Sequence, residues 1–177
     1  ERITPEEFAQ RKSTLPFNQV PVLEVDGDVI AQSLAILRYV GSLSGLYPAT
    51  NPVEAIQIDE LFCLIGELSN LQVPSSREKV PEKQLAMRKV LAEETIPKFL
   101  GLLDKRTAQH TSGPYAIGAR LTVADLAIAA LVDNMKSGSI AGMPTAIVSP
   151  FHSLLKIREL VHAHPKVVEW YQTHVDE

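Results

Sequence analysis

Residues 15–40 read LPFNQVPVLEVDGDVIAQSLAILRYV, and this run decides the first part of the fold. Residues 20–25 are rich in valine and leucine, as a strand should be. Asp26-Gly27 follows, the dipeptide favoured in two-residue hairpins because both of its positions take positive φ. Residues 28–31 then read as the return strand. From Ser33 onward, Leu34, Ile36, Leu37, Tyr39 and Val40 recur at helical spacing, which predicts a helix ending near Gly41. Two features exceed what a bare hairpin and helix need. Pro21 stands in a strand pattern that wants an N–H donor, and Gln32-Ser33 place two polar residues at the helix start.

Working outward, Thr4-Pro5-Glu6-Glu7 is a helix start with a capping threonine, a proline at the first position and a glutamate completing a capping box. That helix ends before Pro16. On the other side, residues 45–52 (GLYPATNP) carry two prolines, a glycine and an asparagine and read as a linker. The pattern beyond it is helical. Residues 53–71 carry Ile56, Ile58, Leu61, Phe62, Ile65, Leu68 and Leu71, spread over more than one face. Residues 85–103 repeat the pattern, with a kink expected at Pro97. Residues 121–135 are strongly apolar. They open with Thr122 and Asp125 as a capping box and with Leu121 and Leu126 as its hydrophobic staple, a structural element rather than a binding one. Two shorter helices, 151–161 and 166–174, are separated by Pro165.

Bulk properties narrow the function. The 177 residues are 45% hydrophobic, enough for a real core. With 17 Lys+Arg against 21 Asp+Glu the net charge is −4, and no basic run appears, so nucleic acid is not an expected partner. The single cysteine, Cys63, excludes an internal disulfide and fits a reducing compartment. The longest apolar run, 121–132, is interrupted by Asp125, so no membrane association is expected.

Several residues invite a chemical reading. A proline within a sheet pattern belongs at an edge or a strand start. Were the Val20–Pro21 bond cis, the N–H and C=O of Val20 would turn outward, where an extended peptide can pair as an added strand. An ordinary trans proline opening a strand is the plainer alternative. Gln32-Ser33 sits at a helix N-terminus, where free N–H groups and the positive end of the helix dipole favour an anion. Ser33 can equally be a plain N-cap. Cys63 reads as a buried small hydrophobe rather than a nucleophile. His162 and His164 lack partners at zinc-ligand spacing, so no metal is expected. Phosphate-loop, dinucleotide and HExxH motifs are absent.

Three pieces together carry a family resemblance: Leu15-Pro16-Phe17-Asn18-Gln19-Val20-Pro21, Gln32-Ser33-Leu34-Ala35-Ile36, and Leu121-Thr122-Val123-Ala124-Asp125. The chain resembles the cytosolic glutathione S-transferases, and the run from Lys12 to Phe17 (KSTLPF) resembles their sigma-like branch. The resemblance implies an α+β thioredoxin-like N-terminal domain, of which residues 1–44 are the C-terminal half. A linker at 45–52 and an all-α domain at 53–177 would follow. It also implies a strand–helix–strand unit upstream of Glu1, holding the tyrosine, serine or cysteine that activates the substrate thiol.

The implied co-substrate is glutathione, the implied partner molecule an electrophilic small molecule held between the domains, and the implied state a cytoplasmic homodimer. Carried over residue by residue, the resemblance makes Val20 and Pro21 the strand-like partner of the cysteinyl unit. Gln32 and Ser33 become the site of the γ-glutamyl carboxylate, and Lys12 and Gln19 contacts of the glycyl end. Glu67 becomes an acid reaching the γ-glutamyl amine across the dimer. Lys12 is otherwise a solvated lysine and Glu67 a surface helix glutamate. Phe8 stands where sigma-like relatives often carry Trp, and Asn18 where they often carry Gly. Two other readings of the same residues are a non-catalytic module of this fold and a glutathione-dependent isomerase.

Overall fold

The computed structural model describes residues 2–48, 50–110 and 113–174, which form two compact units, Glu1–Tyr47 and Pro48–Glu177. In the first unit, α1 (Pro5–Arg11) opens with the expected capping box. The Thr4 amide donates to Glu7 Oε2 at 2.7 Å, and the Glu7 amide donates to Thr4 Oγ1 at 3.2 Å. Two 3₁₀ turns, Lys12–Thr14 and Pro16–Asn18, lead to β1 (Val22–Val25). The strand begins two residues later than expected, because Pro21 has no N–H to offer the ladder.

β1 pairs antiparallel with β2 (Asp28–Ala31), in the register Val22 opposite Ala31 and Val25 opposite Asp28. The two turn residues both take positive φ, 52° at Asp26 and 89° at Gly27. That conformation matches the right-handed strand twist and explains the Asp-Gly pair. α2 (Ser33–Ser44) runs past the expected end at Gly41, which is buried within it. The true stop is Gly45, at φ 74° in the left-handed region, whose N–H bonds back to the Gly41 carbonyl.

The second unit is helical. α3 (Pro52–Arg77) is capped by Asn51, whose Oδ1 accepts from the Glu54 amide at 3.2 Å. It extends six residues beyond the expected Leu71, because its last turns are polar (Gln72, Ser75, Ser76, Arg77) and carry no apolar rhythm. α4 (Pro81–Val90) passes through a π turn, Leu91–Thr95, into α5 (Ile96–Gln109). The Ile96 N–H reaches back to the Leu91 carbonyl, five residues earlier, just before Pro97 withdraws a donor from the ladder. α6 (Val123–Lys136), α7 (His152–His162) and α8 (Pro165–Thr173) complete the unit.

The core is built around α6, which packs on both α3 and α7. Ile58, Leu61, Phe62, Ile128, Val132 and Leu154 are fully buried there. At the head of α6, Asp125 is also fully buried. Its Oδ2 accepts from the Thr122 amide (2.8 Å) and hydroxyl (2.9 Å), and its Oδ1 accepts from the Ala116 amide (2.7 Å). The carboxylate therefore fastens the incoming loop as well as the helix start. Thr122→Ala should lower the unfolding free energy by about 1 kcal/mol, within roughly 0.5–2. Urea titration checks this, and an unchanged midpoint would mean that the cap is dispensable. α7 is capped from a distance, since Asp104 of α5 accepts from the Ser153 (2.8 Å) and Leu154 (3.1 Å) amides. A partner so far away in the chain leaves no local sequence signal.

Candidate functional site

The first unit gathers six of the seven expected site residues. The Pro16–Asn18 turn is unusual in its backbone. Phe17 lies at φ 55° and Asn18 at φ 53°, held by the Asn18 amide on the Leu15 carbonyl (3.0 Å) and the Gln19 amide on that of Pro16 (3.3 Å). Asparagine is among the few residues that tolerate the left-handed region, so Asn18 does the work of a glycine. Phe17 pays for its conformation with strain and remains 71% exposed. Gln19 then leaves the turn fully extended (φ −135°, ψ 156°). The Val20–Pro21 bond is cis, and both residues are exposed.

This turn packs against β2, and β2 leads straight into Gln32. Gln32 has φ 81° and ψ 105°, a sparsely populated combination for any residue with a side chain. It is the N-cap of α2, and its side chain makes no capping hydrogen bond. Ser33 is therefore the first helical residue, which corrects its reading as an N-cap. The Ile36 amide is satisfied by the Gln32 carbonyl at 3.0 Å, but the Gln32 side chain leaves the N–H groups of the first turn uncapped. Gln32 and Ser33 are both exposed. The free N–H groups and the positive dipole end of a helix start are the general setting in which proteins receive anions. Lys12, in the preceding 3₁₀ turn, is exposed and holds its ammonium 5.9 Å from the centre of the Phe8 ring, a cation–π arrangement.

Glu67 lies in the second unit, exposed on α3. It borders a shallow cavity of about 370 Å³ with Cys63, Leu64, Leu102 and the ion-paired Glu60 and Arg106 (2.7 Å). Cys63 is exposed, not buried as its sequence context suggested. The core stripe of α3 is Ile58, Leu61, Phe62, Ile65 and Leu68, and Cys63 falls on the outward face with Ile56, Glu60 and Glu67. Ile56 and Val53 are 67% and 65% exposed on that helix. The His162 ring is engaged by Asp133 (Nε2 to Oδ2, 2.7 Å) and stacks on Tyr171 with centres 5.5 Å apart.

Comparison with known proteins agrees with this geometry. Residues 70–174 match the glutathione S-transferase C-terminal domain, and residues 2–42 match the N-terminal domain of the same family. The chain belongs to the glutathione S-transferase family. It is similar to glutathione S-transferase 1 of Ascaris suum, 34% identical over 96% of this chain and 80% of that protein. It is similar also to the hematopoietic prostaglandin D synthase of Gallus gallus, 30% identical over 97% of this chain and 80% of that one. Among solved structures, prostaglandin synthase D of Nilaparvata lugens superposes with a TM-score of 0.84 at 26% identity, covering 98% of this chain and 83% of the other. The small sheet with its helices, followed by an all-helical unit, is the thioredoxin-like and helical arrangement of this family.

The sequence pointed to every residue at the head of α2 but not to the positive φ of Phe17, Asn18 and Gln32. The only available signal was Asn18 at a position where relatives often carry glycine. Among the described residues no helix is long and apolar enough to cross a membrane.

Proposed function

We propose that this protein is a glutathione transferase that binds glutathione at the exposed, uncapped start of α2 and delivers its thiolate to an electrophilic small molecule. The observation that carries the reading is Ser33 at the first helical position, with Gln32 offering no cap. In this reading the γ-glutamyl α-carboxylate accepts from the Ser33 hydroxyl and the first-turn amides. The backbone of Val20, beside Pro21, pairs with the cysteinyl unit as a short strand, and Gln19 and Lys12 face the glycyl carboxylate. The bound thiol gives up its proton, its sulfur bonds to the electrophilic carbon, and the leaving group departs with the electron pair. The thiolate is the far better nucleophile, so the protein's task is to hold that ionised form in place.

Calorimetric titration of glutathione, paired with turnover of an aryl halide, tests the reading. Saturable binding is expected, and its absence in folded protein would remove the assignment. Lys12→Ala should weaken binding by less than about fivefold, because an exposed, flexible ion pair contributes little. A loss of fiftyfold would instead make Lys12 a principal anchor.

The finer assignments rest on the same resemblance. Residues 1–44 serve as the glutathione-binding portion, 45–52 as the linker and 53–177 as the helical domain. The KSTLPF run supports a sigma-like member, acting in the cytoplasm. The outward apolar residues of α3 support a homodimer, in which Glu67 meets the γ-glutamyl amine bound to the other copy. Light scattering should give twice the monomer mass at micromolar protein. A monomeric mass would remove the cross-subunit role of Glu67. A glutathione-dependent isomerase is the second reading, favoured by the two similar proteins named as prostaglandin D synthases. It uses the same glutathione site and differs in the second substrate.

A further inference from the structure

Lys12 keeps helical dihedrals (φ −51°, ψ −44°) as the C-cap of α1, so Phe8 and Lys12 stand one turn apart on one helical face. Side chains on a helix lean toward its N-terminus, and the Lys12 ammonium accordingly lies 5.9 Å from the centre of the Phe8 ring. Within about 6 Å a ring face attracts a cation. Among the described residues no carboxylate forms an ion pair with Lys12. The ring therefore orients this charge without neutralising it.

Both ends of the pair leave a fixed backbone. The Thr4–Glu7 capping box sets the start of α1, and the Phe8 amide donates to the Thr4 carbonyl at 2.9 Å. Ile3 and Phe8, both half-buried, occupy the two positions of a hydrophobic staple. Beyond the helix, the Lys12 carbonyl accepts from the Leu15 amide (3.3 Å), and the Thr14 hydroxyl donates to the Arg11 carbonyl (2.8 Å). A lysine stem that a ligand must immobilise loses rotamer freedom on binding, and one already directed by a ring loses less. Phe8 has no side-chain donor for a carboxylate, so its effect on an anion can pass only through the ammonium.

We infer that Phe8 is a positioning residue for glutathione, whose ring face pre-sets the Lys12 ammonium for the glycyl carboxylate. The proposed role rests on the transferase reading. The experiment is a double-mutant cycle, by calorimetric titration of glutathione into the full chain, Phe8→Leu, Lys12→Ala and the double variant. Leucine keeps an apolar side chain at the staple position and removes the ring face, and circular dichroism checks that each variant is folded. Phe8→Leu should weaken glutathione about two- to fivefold, the worth of an exposed cation–π contact, and no more than Lys12→Ala does. In the Lys12→Ala background it should change nothing. Phe8→Tyr, which keeps the ring face, should bind as the unmodified protein does. The glycyl ethyl ester of glutathione, which lacks that carboxylate charge, should bind all these proteins alike. Equal losses from Phe8→Leu with and without Lys12 overturn the role, as does an ester affinity that falls in step with that of glutathione. Unchanged glutathione affinity in Phe8→Leu overturns it and leaves the transferase reading standing. Failure of glutathione to bind the unmodified protein removes that reading and the role of Phe8 with it.

Discussion

Ser33→Ala should weaken glutathione binding by about 10- to 100-fold and leave the stability of the fold nearly unchanged. The affinity loss follows from the worth of a hydrogen bond to a charged group, roughly 1.5–3 kcal/mol, at 1.4 kcal/mol per tenfold. The unchanged stability follows from the structure. Ser33 is the first helical residue, the N-cap is Gln32, and the Gln32 side chain makes no cap hydrogen bond. Removing the hydroxyl therefore takes no cap from the helix, and alanine is a better helix former than serine. The two effects separate cleanly in one pair of measurements, calorimetric titration and urea unfolding. Tight binding retained by folded Ser33→Ala would show that the head of α2 is not the carboxylate site, and the non-catalytic module would then be the better reading. A large loss of stability would show instead that Ser33 holds the helix.

Asp125→Ala should cost about 3–5 kcal/mol of stability. The side chain is fully buried and accepts from three donors, two of them backbone amides. Each buried donor left without an acceptor costs about 1–3 kcal/mol, against a total stability of roughly 5–15 for a domain. The pH dependence has a definite sign. Burial pushes the Asp125 carboxyl above its ordinary 3.8, while the hydrogen bonds from Ala116 and Thr122 pull in the opposite direction and only partly offset it. Between 3.8 and the higher folded value, the unfolded chain has released the proton and the folded chain still holds it. Rising pH therefore favours unfolding over that interval. The carboxyl's contribution is complete below 3.8 and is lost as pH passes the folded value. The stability gap between the unmodified protein and Asp125→Ala should narrow from pH 4 toward pH 7. Urea titrations across that range decide it, and a gap that widens with pH would mean that the three donors outweigh burial.

How far the sequence reached depends on the range over which each determinant acts. Caps and the tight hairpin were legible. The capping boxes at Thr4/Glu7 and Thr122/Asp125, the Asp26-Gly27 hairpin and the α7–α8 break at Pro165 all stand where their residues placed them. Each is decided by neighbours within about four positions, because backbone dihedrals and cap hydrogen bonds operate at that distance. Boundaries were less legible when the deciding feature was not the apolar rhythm. α3 outran its hydrophobic pattern through Gln72 to Arg77, and α2 ignored Gly41 and stopped at Gly45.

Three things were decided by the tertiary structure alone. The face on which Cys63 lies depends on which stripe of α3 meets α6, and a helix apolar on several sides does not declare that. The capping of α7 comes from Asp104, 49 and 50 residues before the two amides it accepts from, a separation that only packing of one helix on another closes. The positive φ of Gln32 falls where β2 hands the chain to α2, at an N-cap whose side chain makes no cap hydrogen bond. Sequence named Gln32 and Ser33 as an anion site through residue type and position. The junction geometry determined that Gln32 takes the N-cap position and Ser33 the first helical one.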